Sequence, residues 1–412
     1  MNLRVMSIIG FFAMLAFAYL MSSDRKNINY RTIFWGIGLQ VLFFLLVVGV
    51  PALELKGPFG FLFIRMNDVV NGLIDFTSAG TAFLFGPLAS REKVGGLVFA
   101  IEILPTIVFT STLMAIFYHL GVMQIIVRAL AWVMYRTMRI SGAEALANSA
   151  NIFVGQTEAP LIIKPYLAKM TRSELLCIMI AGMASTAGGV LVAYVKMLRG
   201  DIPDIAGHLL AASVLSAPAS FCIAKLMVPE DQKPQTLGDL PRDTEKVDSN
   251  VFEAATRGAS EGMYLAFNVG AMLLAFVALI AFINSIFGFF GLSLELIFSW
   301  AFSPIAFLMG IQISDIGVAG KLLGEKTIFN EFVAYLHLAA PETATAISAR
   351  TMTILTYALC GFANFASIGI QIGGIGLMAP GKKSDIAKLG LKAMIGGNLA
   401  TFMTACLAGV FI

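Results

Sequence analysis

Nine stretches of at least 19 residues contain no Asp, Glu, Lys or Arg: 5–23, 32–53, 103–127, 175–195, 205–224, 262–294, 296–314, 351–381 and 393–412. A helix needs about 20 apolar residues to cross the hydrocarbon core of a bilayer. Nine such runs in 412 residues leave little chain for anything else. Charged residues make up 13% of the sequence, against about 25% in a soluble domain. This excludes a soluble enzyme and a nucleic-acid-binding module, and a net charge of +3 offers a polyanion little to hold. The chain is read as an all-α polytopic membrane protein.

Cys177, Cys222, Cys360 and Cys406 all fall inside charge-free runs without CxxC spacing, so they read as small apolar residues rather than disulfide or metal ligands. His119, His208 and His337 are scattered, with no Cys neighbour at ligand spacing. The first apolar run lacks a small-x-small cleavage site and leads into Asp24-Arg25-Lys26, so it is expected to stay as the first span.

Orientation follows from Lys and Arg in short loops. Arg25, Lys26 and Arg31 follow the first span, and Lys382, Lys383 and Lys388 precede the last. The most polar stretch, 229–257, contains Pro229, Pro234, Gly238 and Pro241 and reads as a linker without its own core. Placing all three in the cytoplasm puts both termini outside. Arg91, Lys93, Lys196 and Arg199 then lie outside and oppose the rule. Residues 66–90 read as an amphipathic helix at the interface, an extracellular loop being the competing description.

Two segments are poor simple spans. In 141–170, Asn148, Asn151, Gln156, Thr157 and Glu158 interrupt an otherwise apolar run, with Gly155, Pro160 and Pro165 around them. Gly and Pro break the backbone ladder, and a broken ladder at membrane depth survives only against protein or a water-filled cavity. The spacing predicts a re-entrant hairpin with a polar tip. Segment 303–340 predicts a second one, turning around Gly317 to Gly324 and returning with Asn330 and Glu331 in an apolar limb.

A small-residue break follows each hairpin, at 184–189 within 175–195 and at 361–367 within 351–381. Glu158 to Ser185 spans 27 residues and Glu331 to Asn364 spans 33. Two copies of a hairpin followed by a discontinuous helix are the mark of a secondary transporter with inverted repeats and a midplane site.

An ionisable residue at membrane depth is a functional candidate by default, which singles out Glu158 and Glu331. The structural alternative is a helix-end carboxylate reaching water or pairing with Lys164 or Lys326. No Arg or Lys lies near these residues in Asn151–Ala159, Ala184–Val190, Phe329–Tyr335 or Gly361–Ser367, which disfavours an anionic substrate. Carboxylates, amides and hydroxyls suit a neutral, hydroxyl-rich, amide-bearing solute or a cation. A carboxylate accepts from both hydroxyls of a vicinal diol, Gln and Asn pair with a heterocyclic edge, and Phe362 or Phe365 offers a ring face.

GQTEAP at 155–160, NEFVAY at 330–335 and GFANFASIGI at 361–370 resemble the bacterial branch of the concentrative nucleoside transporter family. The resemblance extends over essentially the whole chain, through SSDRKNIN at 22–29, GTAFLFG at 80–86 and FNVGAML at 267–273. It implies a homotrimer whose protomers have eight transmembrane helices, two re-entrant hairpins and interfacial helices, working as an elevator-type transporter. It divides the chain into N-terminal spans with an interfacial helix (1–120), a first repeat (121–228), a linker (229–257), a scaffold or trimerisation span (258–300) and a second repeat (301–412). Gln156, Thr157 and Glu158 match its base-recognising positions, with Val190 and Phe362 as apolar walls. Glu331, Asn364 and Ser367 match its ribose-recognising positions. Its sodium site falls on the side chains of Asn151 and Ser185 and the carbonyls of Val154 and Thr186. Some members carry a Ser-Glu-Asn form of the hairpin motif and resemble proton-coupled transporters; Thr157-Glu158-Ala159 is the form associated with sodium. Thr186 stands where an apolar residue is common, which matters little if only its carbonyl meets the ion.

The expected function is a sodium-coupled symporter importing nucleosides, with sodium co-transported and the bilayer as its other partner. Proton coupling through Glu158 or Glu331 is the alternative. A channel fits paired hairpins less well. An intramembrane enzyme fits poorly, since the spans hold no paired Asp, no HExxH and no Ser accompanied by His at a plausible depth.

Overall fold

The computed structural model describes residues 2–50, 57–58, 60–94, 98–200, 202, 204–241 and 248–412, and its regular structure is helical. Eight helical stretches among the described residues are long and apolar enough to cross a bilayer. Three of them form an inner bundle: Arg172–Leu198, Ile205–Met227 and Pro380–Phe411 are each more than 80% buried. The others, Leu3–Leu20, Tyr30–Val47, Asn67–Ala89, Phe99–His119 and Val251–Phe290, are at most 39% buried. Their exposed surface is apolar, as with Phe12, Phe34, Phe76, Phe267 and Phe282, the surface that hydrocarbon tolerates and water does not.

A helix, Gly60–Phe85, covers most of the 66–90 segment read as interfacial. Its apolar stretch Asn67–Ala89 is also long enough for a crossing.

Both hairpins and both broken helices form. The first hairpin runs down Gly142–Asn151, turns through 152–158 and returns by Ala159–Ile162 and Lys164–Leu167. The first broken helix is Arg172–Ala184 and Gly188–Leu198; the second is Ala349–Leu359 and Phe365–Met378. Capping boxes start the first hairpin, at Ser141 and Glu144, and the first broken helix, at Thr171 and Glu174. Each satisfies backbone donors that a helix start leaves open.

The second hairpin corrects the sequence reading. Its limbs are Ile316–Ile328 and Glu331–Leu338, and the turn is at Phe329–Asn330, not at Gly317 to Gly324. Those glycines lie within the first limb. A side chain at Gly320 would run into the backbone of Ser299, and one at Gly324 into Phe298. They permit close packing on helix Leu294–Leu308, the use small residues have between membrane helices. The turn is instead made by Asn330, whose side chain accepts from the Val333 N–H at 2.9 Å and starts the return limb.

A matching tie supports the repeat. Ser141 Oγ, at the start of the first hairpin, donates to Glu174 Oε1 at the start of the first broken helix, 33 residues on and 2.6 Å away. Asp315, at the start of the second hairpin, accepts from Ser348 Oγ at the start of the second broken helix, again 33 residues on and at 3.0 Å. The roles of acid and hydroxyl are exchanged, so the likeness is invisible to residue identity.

The two ends of the bundle are distinct. Arg4 donates to the Ile412 carbonyl at 3.0 Å, so the chain's ends lie together, as an even number of crossings requires. At the other end the Ser23 N–H reaches the Met227 carbonyl at 3.0 Å, Thr171 Oγ1 donates to Glu230 at 2.9 Å, and Arg172 lies 3.9 Å from Asp385. The three loops read as cytoplasmic therefore share one end. Lys196, one of the opposing charges, is buried and donates to the Glu102 carbonyl, so it is not a free loop charge.

The linker is shorter than expected. Helix Val251–Phe287 begins at the Asn250 cap and takes up the last residues of 229–257. Ahead of it, the Arg257 guanidinium holds the Asp248 carboxyl below the usual carboxylate range through a 2.8 Å bond. Residues 229–241 are docked: Thr236 accepts from the Ala143 N–H through its hydroxyl and from the Gly142 N–H through its carbonyl, both at 3.0 Å. Residues 242–247 lie outside the described residues.

Candidate functional site

The hairpin tips meet the breaks in the two discontinuous helices, and the polar residues singled out above form one connected chain there. Asn364 caps Phe365–Met378, its Oδ1 accepting from the Ser367 N–H at 2.9 Å. Its Nδ2 donates to Glu331 Oε2 at 3.2 Å. Ser367 Oγ in turn accepts from Gln156 Nε2 at 3.1 Å. Gln156, Ser367, Asn364 and Glu331 are all buried, and the chain runs from the first hairpin tip across the second broken helix to the second hairpin. Buried polar groups that satisfy one another hold one geometry.

Two further residues belong to this chain and escape the sequence reading. Tyr194 donates its hydroxyl hydrogen to Glu331 Oε1 at 2.8 Å. Gln371 Nε2 donates to Gln156 Oε1 at 3.0 Å and to the Met179 carbonyl at 2.9 Å. Gln371 stands in the charge-free run 351–381 as a second amide beside Asn364. Tyr194 had no such signal, because a Tyr in an apolar helix reads as packing.

The remaining residues are placed as follows. Val190 is buried and Phe362 half-buried, both within the apolar packing around the site. Thr157 Oγ1 donates to Glu158 Oε1 at 3.0 Å, and Glu158 is exposed. The two glutamates thus differ sharply in surroundings. Neither makes the lysine pair considered for it: no ion pair joins Glu158 to Lys164 or Glu331 to Lys326 among the described residues. Lys326 points instead to the Ala358 carbonyl and the Thr401 hydroxyl, each at 2.7 Å. Phe365 is exposed on the first turn of its helix, whereas Phe362 is half-buried.

The candidate ion ligands lie where the first hairpin tip is stitched to the first break by the Gly188 N–H, which donates to the Phe153 carbonyl at 3.0 Å. Asn151, the last residue of its limb, is 1% exposed, and neither its amide oxygen nor its amide nitrogen has a hydrogen-bond partner among the described residues. A buried amide without partners is costly, and its oxygen is a suitable hard ligand for a small cation. Ser185 donates its hydroxyl hydrogen to the Ala181 carbonyl at 2.9 Å, which leaves its lone pairs open. Thr186 directs its side chain to Cys360 Sγ at 3.0 Å, so its carbonyl is what it has to offer an ion. Val154 is half-buried in the turn.

Family models match most of the chain. The Na+ dependent nucleoside transporter N-terminus model matches residues 9–88, the nucleoside-recognition gate model residues 100–200, and the Na+ dependent nucleoside transporter C-terminus model residues 208–409. An uncharacterised transporter of Haemophilus influenzae is 44% identical, the match covering 98% of this chain and 97% of that protein. The nucleoside permease NupC of Helicobacter pylori is 39% identical, with 98% and 97% covered. Rat solute carrier family 28 member 3 is 43% identical over 99% of this chain, which spans 58% of that longer protein. Among solved structures, CNTnw in an inward-facing substrate-bound state superposes with a TM-score of 0.92 at 41% identity, covering 100% of both chains. A variant of CNTnw in an outward-facing state also gives 0.92, at 40% identity and with 99% and 98% covered. These relatives are transporters and not enzymes, and the chain belongs to the sodium-dependent concentrative nucleoside transporter family.

Proposed function

We propose that the chain is a sodium-coupled symporter that imports nucleosides across a bacterial inner membrane. The observation that carries this is the hydrogen-bonded chain from Gln156 through Ser367 and Asn364 to Glu331. At one end an amide faces the edge of a heterocyclic base, with Thr157 and Glu158 beside it and Val190 and Phe362 as walls. At the other, a carboxylate and Asn364 accept from and donate to ribose hydroxyls. Sodium, carried with the nucleoside, would be held by Asn151, Ser185 and the carbonyls of Val154 and Thr186. By ordering the hairpin tip that presents Gln156, the ion would raise nucleoside affinity, and the nucleoside would raise sodium affinity by the same factor.

The superposition on relatives solved facing inward and outward supports an elevator, with the hairpins and broken helices moving against the outer helices. The exposed apolar face of Val251–Phe287, with Tyr264, Phe267, Leu274 and Phe282, suits contact with other protomers of a homotrimer. The grouping of basic loops at one end supports a periplasmic position for both termini.

Glu331→Gln tests the ribose assignment. It keeps the size of the side chain but exchanges one acceptor for a donor, removing a charge-assisted bond of about 1.5–3 kcal/mol. Severe loss of uridine binding by the folded variant is expected; unchanged binding would refute the assignment.

A further inference from the structure

Lys326 is 0% exposed, within the first limb of the second hairpin. Its ammonium donates to the Ala358 carbonyl and to Thr401 Oγ1, both at 2.7 Å, and lies 5.2 Å from the centroid of the Phe402 ring. Thr401 gives its own hydroxyl hydrogen to the Asn398 carbonyl at 3.0 Å, so toward the lysine it can only accept. A carbonyl, a hydroxyl oxygen and a ring face make the direct contacts with the charge, all of them neutral, and the Glu331 carboxylate acts on it only from beyond ion-pair distance. This is the ligand set of a monovalent cation.

The place is as telling as the ligands. Ala358 lies in the last turn of Ala349–Leu359, just before the second break. Carbonyls there have no helical partner and carry the negative end of the dipole, and half-helix ends of this kind bind ions in transporters. In the first repeat the equivalent end, after Arg172–Ala184, faces Ser185 with its open lone pairs and the unpartnered Asn151 amide. The two breaks touch through Thr186 and Cys360, and the two 33-residue ties relate the hairpins to their helices in the same way. One repeat leaves the cation position to an exchangeable ion. The other fills it with its own side chain.

We infer that Lys326 is a tethered cation occupying, in the second repeat, the position at which the first repeat takes sodium. The protein therefore carries one sodium ion per nucleoside, and the second position contributes no coupling. This rests on the sodium-coupled reading above. Lys326 acts as a positioning residue, holding the second hairpin to the second broken helix and the last helix through every step of the cycle.

The test uses the full-length protein in proteoliposomes, with radiolabelled uridine uptake measured against sodium for the unaltered protein, Lys326→Met and Lys326→Ala. The unaltered protein should give a sodium activation slope of about one. Methionine keeps the volume without the charge, and uptake should fall at least about tenfold, since the facing oxygens lose their cation. Alanine opens the space, and uptake should recover in methylammonium, or at raised sodium with a slope approaching about two. Full uptake by Lys326→Met, or a Lys326→Ala protein that neither responds to methylammonium nor steepens, overturns the proposal. If neither variant reaches the membrane, paired fluxes of radioactive sodium and uridine through the unaltered protein decide it. One ion per nucleoside supports the tethered cation, and two overturn it. Failure of the sodium-coupled reading itself is recognised separately, as sodium-indifferent uptake by the unaltered protein.

Discussion

Tyr194 and Glu331 lie 137 residues apart in the chain and share a 2.8 Å hydrogen bond from the phenol hydroxyl to Oε1 of the carboxylate. The bond joins the first broken helix to the second hairpin. With Asn364 on Oε2 at 3.2 Å, the carboxylate is fixed from both repeats, while each oxygen keeps a lone pair for a substrate hydroxyl. Tyr194→Phe removes only the bond. It should raise the uridine KM about five- to tenfold, about 1–1.4 kcal/mol and so within the net range of a single hydrogen bond, with 2′-deoxyuridine affected less. Uptake kinetics on both substrates check this.

Gln371 is expected to act through Gln156. Its amide holds the Gln156 oxygen at 3.0 Å and the Met179 carbonyl at 2.9 Å. Gln371→Leu should therefore weaken nucleosides as a class in the same direction as Gln156→Ala, with folding and assembly unchanged. The double variant should be little worse than either single one, because groups in one network are not additive. Binding titrations of the four proteins give that cycle directly.

Much of this arrangement was legible in the sequence, and what was missed has physical causes. Charge-free runs locate the bundle, and Gln156, Asn151 and Glu331 stand out because polar groups at membrane depth need a reason. Asn330 and Asn364 are legible for the same reason, although their capping of the following helices is a local detail. The turn of the second hairpin was misplaced because Gly317, Gly320 and Gly324 have the composition of a turn; only the neighbouring Ser299 and Phe298 show them to be a packing face. Tyr194 is silent in a pattern that counts charges and amides. Lys326 carries a visible charge, but its partners are a backbone carbonyl and a hydroxyl from distant segments, and no spacing rule reaches those.

Gly320→Leu should be strongly destabilising. Its side chain would meet the Ser299 backbone, and overpacking of this kind costs about 1–3 kcal/mol or more. Gly72→Leu is the control, since nothing lies within 4 Å of a Cβ there. Thermal melting in detergent should separate the two, with the first melting well below the unaltered protein and the second close to it.

Asn151→Ala and Ser185→Ala each remove one oxygen from the candidate ion site. The sodium concentration for half-maximal uptake should rise in both, by about tenfold for a lost ligand, while the rate at saturating sodium changes less. An unchanged half-maximal concentration in both variants would move the ion elsewhere.

The central claim is that sodium, not the proton, drives nucleoside entry, and uridine uptake into proteoliposomes under separately imposed sodium and pH gradients tests it most directly. An inward sodium gradient alone should accumulate uridine above its external concentration, and a pH gradient alone should not. Accumulation that follows the pH gradient and ignores sodium would contradict the account and transfer the coupling to Glu158 or Glu331.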